Sequence, residues 1–510
     1  MPGKLRIILP VAVYAAGVVL ILFRLIPLGV PDEFVYPYVR DPSFDLFGLA
    51  ACALPGAGIL VTLIAVLKRR KPFEPSEIMA TLAVLVACSF LLHVTCSVFL
   101  SPGGVEGAMA HVMDQNGDGA YMLRAFSMED TSAYLKNLHE ELDIEHQESP
   151  FPHLPTHPPG FVLLFYAAKK MVLGGFPGTE LLRSVILGDS MSDDRLRPLA
   201  SAACLAAVVF WVCAALIPLP AYLLARTFLK TRPSLIAAGM STLFPGTYLF
   251  NPITDQMLPV VATVVIFLGV KAIIERKRGI ALAFGITLAL SINLTLAMIV
   301  PAGVVFFFGV LHAHTEYQSK GREGLTPLVR IGLRAGTGLA IVVALLYAVF
   351  GLNMIQIGRL CFENNREFNL EKARSYLPFL LTSPIETAYS FGLPLFTLLV
   401  WGTAQKLKST KQKVKGSEFL WAALFTIFLL AVLGINRGEV CRLWMFLFPS
   451  LAIAAVLSLR PEMEQPNWED FKTPFGATNA PRTVWTVVLI GQVLTILFLC
   501  TWLDPMWRGQ

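Results

Sequence analysis

Asp118, flanked by Gly117 and Gly119 in the string NGDGAYMLRAFSM, is the residue of this chain best placed by its neighbours for proton transfer. Glycine on both sides lets the backbone turn and leaves the carboxylate unobstructed. Tyr121, Met122, Ala125, Phe126 and Met128 then follow at the spacing of a short amphipathic helix, which can lie on a membrane surface beneath that carboxylate. A carboxylate so held can act as a general base or join a metal. The plainer reading is a flexible Gly-Asp turn. Asp114, Asn116 and Asp118, followed by Gly119, also match the opening of a calcium loop, but the twelfth position, which needs a bidentate Glu, is Ala125. An EF-hand is therefore disfavoured, and Asp114 with Asp118 are the candidate ligands for a divalent cation such as Mg or Mn.

Four further strings carry reactive groups. In THPPGFVLLFY, Pro158 and Pro159 stiffen the entry to an apolar run, which fixes His157 just above it. An imidazole there can hydrogen-bond a phosphate or act as an acid near neutral pH, against the plain reading of a Pro-rich helix start. His111, His139, His146 and His153 lack metal-type spacing, and most read as solvated. In NPITDQMLP, Thr254 and Asp255 stand at the end of an apolar run, either as helix caps or as a substrate contact. In NRGEVCRLWMFLFP, Arg437, Glu439 and Arg442 precede an apolar helix, and a guanidinium at that depth suits a lipid phosphate or an interfacial anchor. FENNREFNLEKARSYL, with Glu363, Arg366, Glu367, Lys372 and Arg374, reads most simply as a solvated surface helix.

These strings sit in a chain of 510 residues that is 55% hydrophobic, with a mean hydropathy of +0.64. Only 15% of residues are charged, below the roughly 25% usual for soluble domains. An ordinary soluble protein is excluded. The net charge of +6 comes from short basic runs such as Lys68–Lys71, Glu275–Arg278 and Lys406–Lys415, as the positive-inside rule expects, and calls for no nucleic acid. The eight cysteines, most in apolar runs, form no CxxC or Cys/His metal spacing. Residues 7–23 form an apolar stretch behind Lys4 and Arg6 without a convincing cleavage site, which reads as an uncleaved first helix.

Apolar runs long enough to span lie near 5–25, 45–67, 78–100, 160–175, 234–250, 256–274, 330–352, 386–402, 417–434, 442–459 and 483–503. Residues 279–312 read as a hairpin broken at Ser291–Asn293, and Pro218 and Pro220 are expected to interrupt 199–229. The expected fold is an all-α polytopic membrane protein of about 13–15 transmembrane helices, with a large extracytoplasmic first core loop carrying short surface helices. That loop, 101–160, holds ten acidic residues, two basic ones and five of the eight histidines. Placing the basic runs inside puts it outside, together with 26–44, Asn251–Asp255, 353–385 and Asn436–Arg442. The chain then divides into an N-terminal transmembrane hairpin (1–77), a transmembrane core (78–460), and a cytoplasmic connection with the last helix (461–510).

The order of these strings resembles the membrane glycosyltransferases of the GT-C superfamily, the branch with protein mannosyltransferases and lipid A aminoarabinose transferases. An acidic motif in the first large outer loop (Asp118, Tyr121, Ala125) precedes a loop-end motif (His157, Pro158, Pro159), then Thr254-Asp255 at a span boundary and GEVCRLWMFLFP late in the chain. The resemblance covers about 78–460, with Gly119 standing where that family commonly has Glu. It implies a polyprenyl-phosphate-linked sugar as donor and a glycan, lipid or protein as acceptor. The enzyme would sit among membrane lipids of the plasma membrane, with its active site on the extracytoplasmic side. Asp118 would be the base; His157, Arg442 and Arg124 would hold the donor phosphate; Tyr121, Asp255 and Glu439 would contact substrate. The alternatives are a multi-pass transporter or flippase of lipid-linked sugars, and a ligase or scaffold. A transporter is expected to show repeated halves and polar groups at the midplane, and the apolar runs carry few charges and no repeat.

Overall fold

The computed structural model describes residues 3–26, 28–37, 46–101, 103–115, 117–143, 154–176, 178–188, 196–408, 416–435, 437–459 and 480–503. They are almost entirely helical. In chain order the first elements are α1 (Gly3–Leu22), a small hairpin of β1 (Gly29–Val30) and β2 (Phe34–Val35), α2 (Leu46–Lys68) and α3 (Pro75–Thr95). Short helices follow: α4 (Gly104–Met113), α5 (Gly119–Ser127), α6 (Thr131–Leu142), α7 (Gly160–Leu173) and α8 (Thr179–Leu187). Next come α9 (Arg197–Ala215), α10 (Pro218–Arg226), α11 (Thr231–Met240), α12 (Pro245–Leu249), α13 (Leu258–Glu275), α14 (Arg278–Ile292), α15 (Ile299–Lys320) and α16 (Thr326–Phe350). The remainder are α17 (Met354–Glu371), α18 (Tyr376–Phe391), α19 (Leu393–Lys408), α20 (Ser417–Leu433), α21 (Val440–Leu443), α22 (Phe448–Ser458) and α23 (Ala480–Trp502).

Among the described residues, eight helical stretches are long and apolar enough to cross a membrane: Leu46–Lys68, Pro75–Leu100, Arg197–Arg226, Thr254–Glu275, Leu296–Gly324, Thr326–Phe350, Val440–Ser458 and Thr483–Trp502. Ile8–Leu22, Arg278–Ile292 and Ser417–Leu433 are apolar but shorter. The chain is thus an all-α polytopic membrane protein whose large loop carries several short helices. Of the remaining stretches expected to span, two are divided and one is short. Residues 234–250 form α11 and α12 rather than one helix, and 386–402 is cut at Gly392, whose φ of 98° lies in the left-handed region that favours glycine. Residues 160–175 supply only the 14-residue α7. Conversely, Pro218 and Pro220 do not end the apolar path, because they fall in the first turn of α10, where a missing N–H goes unnoticed. The expected break at Ser291–Asn293 is present, as the turn between α14 and α15.

The chain forms two compact units: Met1–Ser101 with Cys213–Asn251 and Ser375–Gln510, and Pro102–Val212 with Pro252–Arg374. In the first, α3 opens on a capping box, in which the Glu77 carboxylate accepts the Glu74 amide at 2.8 Å. The broken helices need the same attention, because a carbonyl freed inside a membrane bundle has no water to bond. Gln492 of α23 supplies the partner: its Nε2 donates to the Leu243 and Phe391 carbonyls, each at 3.0 Å. Phe244, Phe391 and Phe448 close around these breaks with ring centroids 5.4–5.5 Å apart.

In the second unit, α14 and α16 approach closely because Gly285 and Gly338 present bare backbone to each other's helix, and a Cβ at either would meet a carbonyl. Small residues at such crossings allow tight packing without a hydrophobic driving force. The α6 N-terminus is capped by Asp130, which accepts the Ser132 and Ala133 amides at 2.9 and 3.2 Å. Replacing Gln492 with Leu keeps the side-chain volume but leaves two buried carbonyls unmet, a loss of about 1–3 kcal/mol. We expect a clearly lower apparent melting temperature of the Gln492→Leu protein in detergent, read by intrinsic fluorescence or by retention as a monodisperse peak after heating.

Candidate functional site

Three of the five strings converge in the second unit. Asp118 stands immediately before α5, its carbonyl accepting the Tyr121 amide at 3.1 Å. Gly119 is required there, since a Cβ would be driven into the Met113 carbonyl. The Asp118 carboxylate points to the start of the Thr254–Met257 turn that leads into α13. Its Oδ2 accepts the Thr254 backbone N–H at 2.5 Å and its Oδ1 accepts the Thr254 hydroxyl at 2.8 Å. A negative group at the opening of a helix meets exposed amides and the positive end of the helix dipole. The loop carboxylate is therefore pinned to a span terminus 136 residues away in sequence.

The second string joins the same cluster through aromatic packing. Tyr121, almost fully buried, lies edge-on to His157 with centroids 5.6 Å apart and tilts against Phe161 at 5.5 Å. His157 Nδ1 is 2.8 Å from the Thr156 hydroxyl. Three residues later the Gly160 amide donates to the Asn293 carbonyl at 2.8 Å, and a Cβ on Gly160 would collide with that carbonyl. The turn between α14 and α15 thus fixes the entry to α7. At the far end of α5, Lys169 of α7 donates from Nζ to the Phe126 and Met128 carbonyls at 2.9 and 2.6 Å, with Ala125 O at 3.4 Å. A cation on the last carbonyls of a helix satisfies groups that have no partner within it. Both ends of α5 are consequently tied down, and Asp118 and Tyr121 are held with it.

The other residues singled out from the sequence have different surroundings. Arg124 is turned to Glu141, its Nε 3.0 Å from Oε2, and lies over the Tyr134 ring at 4.9 Å. That ion pair binds α5 to α6, which is a structural use for a group expected to hold phosphate. Asp255 is half-buried in the turn beside Thr254. The Asp114 carbonyl accepts the Gly117 amide at 2.9 Å, and among the described residues no group of three or more His, Cys, Asp or Glu is placed to hold a metal ion. Asn116, His146 and His153 lie outside the described residues. His139 is exposed as expected, whereas His111 is buried in α4. The fifth string is only half solvated: Asn364 of α17 is buried and donates to the Leu142 and Pro155 carbonyls, both at 2.8 Å, and Arg374 is buried over the Phe368 ring at 5.2 Å.

The fourth string lies in the first unit, with partners that sequence reading passed over. Glu439 adopts φ 57° and ion-pairs with Arg442, Oε2 to a terminal guanidinium nitrogen at 2.7 Å. Beside them the Glu386 side chain is fully buried in α18; its Oε2 accepts the Val440 amide at 3.1 Å, and its carbonyl accepts the Cys441 thiol at 3.3 Å. Tyr36, from the strand hairpin, is 1% exposed among the same groups. Burial pushes its phenol well above the ordinary range, and Cys441, Glu386 and Glu439 add to the shift. The reading that apolar stretches carry few charges overlooked Glu386. The signal was visible as one acid within SPIETAYSFG, at the lip of an expected span.

No protein-family model matches this chain, and no curated protein does either.

The Lys169 contacts make a direct prediction. Lys169→Met keeps the apolar stem and removes three bonds to the α5 carbonyls, so α5 should open more readily. Hydrogen–deuterium exchange over 119–128 should accelerate by on the order of tenfold or more, with helices outside the loop unchanged.

Proposed function

We propose that this polytopic membrane protein is a glycosyltransferase that moves a sugar from a polyprenyl-phosphate carrier to an acceptor on the extracytoplasmic face. The observation that carries the reading is the Asp118 carboxylate held by the Thr254 amide and hydroxyl at the start of α5, whose first turn carries Tyr121 with His157 against its ring. Two motifs of a loop and one of a span boundary, far apart in sequence, are brought to one place by these contacts. A purely structural cap would account for Asp118 alone. It gives no reason for an imidazole, a buried phenol and an acid to gather there.

In this reading Asp118 accepts the proton of the acceptor's hydroxyl as its oxygen attacks the anomeric carbon. The bond from that carbon to the phosphate oxygen breaks, and the lipid phosphate departs with the electron pair. His157 meets the growing negative charge on the phosphate, as preorganised donors do in anionic transition states. Tyr121 and Asp255 are proposed as sugar contacts. Arg442 and Glu439, paired with each other in the first unit, are proposed separately as a phosphate-binding guanidinium and a substrate contact, on guanidinium chemistry and the motif resemblance. Arg124 is a weaker phosphate candidate, because Glu141 already uses its fork. Every step uses the chain's own side chains, and a divalent cation on Asp114 and Asp118 is a separate proposal that titration of activity with EDTA and Mn would test.

A second reading has one observation in its favour. Helices broken at 241–244 and at Gly392, with a buried acid in α18, are features that transporters use at their substrate sites. A flippase of lipid-linked sugars would move the donor without cleaving it.

Both readings meet one experiment. Purified protein in proteoliposomes receives a polyprenyl-phosphate donor carrying a radiolabelled sugar, together with candidate acceptors. The glycosyltransferase reading expects label to leave the lipid, and Asp118→Asn, which keeps the shape and loses the charge, should lower that rate by about 10²–10⁴-fold. Thr254→Val should cost less, since the backbone amide remains. Full transfer by an Asp118→Asn protein that inserts normally removes the base assignment, and donor movement without cleavage in the wild type favours the flippase.

A further inference from the structure

The helix that follows α16 has three faces, and among the described residues only one is covered by protein. Met354, Ile357, Cys361 and Asn364 of α17 are buried against α6 and the Leu154–Thr156 turn, with Asn364 bonded to carbonyls of both. At roughly 100° per residue, Phe362, Ile355, Arg366, Arg359 and Leu370 fall on an adjoining arc of about 80°. That arc is exposed: Ile355 by 80%, Phe362 by 52% and Leu370 by 64%. The next arc carries Gln356, Glu363, Glu367 and Glu371, with the half-buried Leu360 among them. The exposed apolar groups and both arginines therefore share one sector, and the acids share another. Arg359 stands at the border and reaches Glu363 at 3.1 Å.

A solvated surface helix has no use for three large exposed apolar side chains in one line, and the segregation of charge points to a particular neighbour. The position in the chain supplies it. α16 is a membrane-crossing helix whose final turns expose Leu345, Tyr347 and Val349, and it stops at Gly351 in the left-handed region, where the Gly351 and Leu352 amides return to the Tyr347 and Leu346 carbonyls. Three residues separate α16 from α17, a reach of about 10 Å at full extension. α17 thus begins at the level where the span leaves the hydrocarbon. At that level apolar side chains dip toward the acyl chains, and arginines on the same face meet lipid phosphates with their stems along the boundary.

We infer that α17 is an interfacial helix that lies on the bilayer through Ile355, Phe362 and Leu370, with Arg359 and Arg366 bound to the phosphates of anionic phospholipids. Glu363, Glu367 and Glu371 face water. The contact anchors α6 and the Leu154–Thr156 turn, both fastened to the opposite side of α17, at a set height above the membrane. This inference concerns a lipid-contact surface and stands whether or not sugar transfer occurs.

The test uses the full chain in nanodiscs. Nitroxide labels at Ile355→Cys, Phe362→Cys and Glu367→Cys are read by collision with oxygen, which enters lipid, and with a water-soluble nickel chelate, the native cysteines setting the background. Labels at 355 and 362 should favour oxygen strongly, and the label at 367 should favour nickel. Exchanging phosphatidylcholine for phosphatidylglycerol should deepen the 355 and 362 positions, and Arg359→Gln with Arg366→Gln should abolish that dependence. Nickel access equal at all three positions would overturn the inference. So would protection of 355 and 362 from both reagents, the signature of another copy of the chain covering this face. Depth unaffected by lipid charge in the wild type would overturn the assignment of the arginines.

Discussion

A carboxylate brought from a distant part of the chain to a backbone amide at the opening of a helical turn is the interaction on which the reactive groups of this protein most depend, and both units contain it. In one unit Asp118 accepts from Thr254; in the other Glu386 accepts from Val440. The reason is the solvent. Helix starts expose amides, water satisfies them in soluble proteins, and a bilayer does not. An acid brought from elsewhere in the chain satisfies the amide and is itself stabilised by the helix dipole. Removing the carboxylate leaves the buried Thr254 or Val440 amide unmet, which is the costly half of the exchange.

That constraint explains why the reactive groups sit where they do. A span terminus needs an acceptor, a loop supplies it, and the loop's position is then fixed by the span. α5 is held at its start by Asp118 and at its end by Lys169, and α7, which carries Lys169, is itself seated by the Gly160 bond to Asn293. Structure and proposed chemistry draw on the same contacts. A carboxylate whose geometry is set by two hydrogen bonds is preorganised for proton transfer, and an imidazole against the adjacent phenol shares that rigidity.

Much of this was legible in the sequence. Hydropathy gave the fold class, because a bilayer demands long apolar helices. Glycines beside Asp118 and prolines after His157 marked turns that the structure contains, and Thr254-Asp255 was noticed as a span-boundary pair. What could not be read was partnership. Nothing local to Asp118 says that its acceptor sites go to Thr254, or that Arg124 is drawn to Glu141. Helix breaks were harder still. Residues 234–250 and 386–402 are largely apolar, and the carbonyls freed where they divide are met by Gln492, more than 100 residues on. Hydropathy averages also hid Glu386, since one acid hardly lowers the mean of a window. The masking of α17 had the same origin: a sector of apolar and basic residues reads as ordinary surface until the buried face opposite is known.

In the proposed chemistry the sugar reacts beside Asp118. Its most direct test is a structure of the protein in nanodiscs with a non-cleavable polyprenyl-phosphonate sugar. The expected result is the anomeric carbon next to the Asp118 carboxylate, with room for one acceptor oxygen between them, and the phosphonate within hydrogen-bonding reach of His157, about 3 Å. A phosphonate seated well away from both residues, with the Asp118–Thr254 contact undisturbed, would contradict it and leave Asp118 a structural cap.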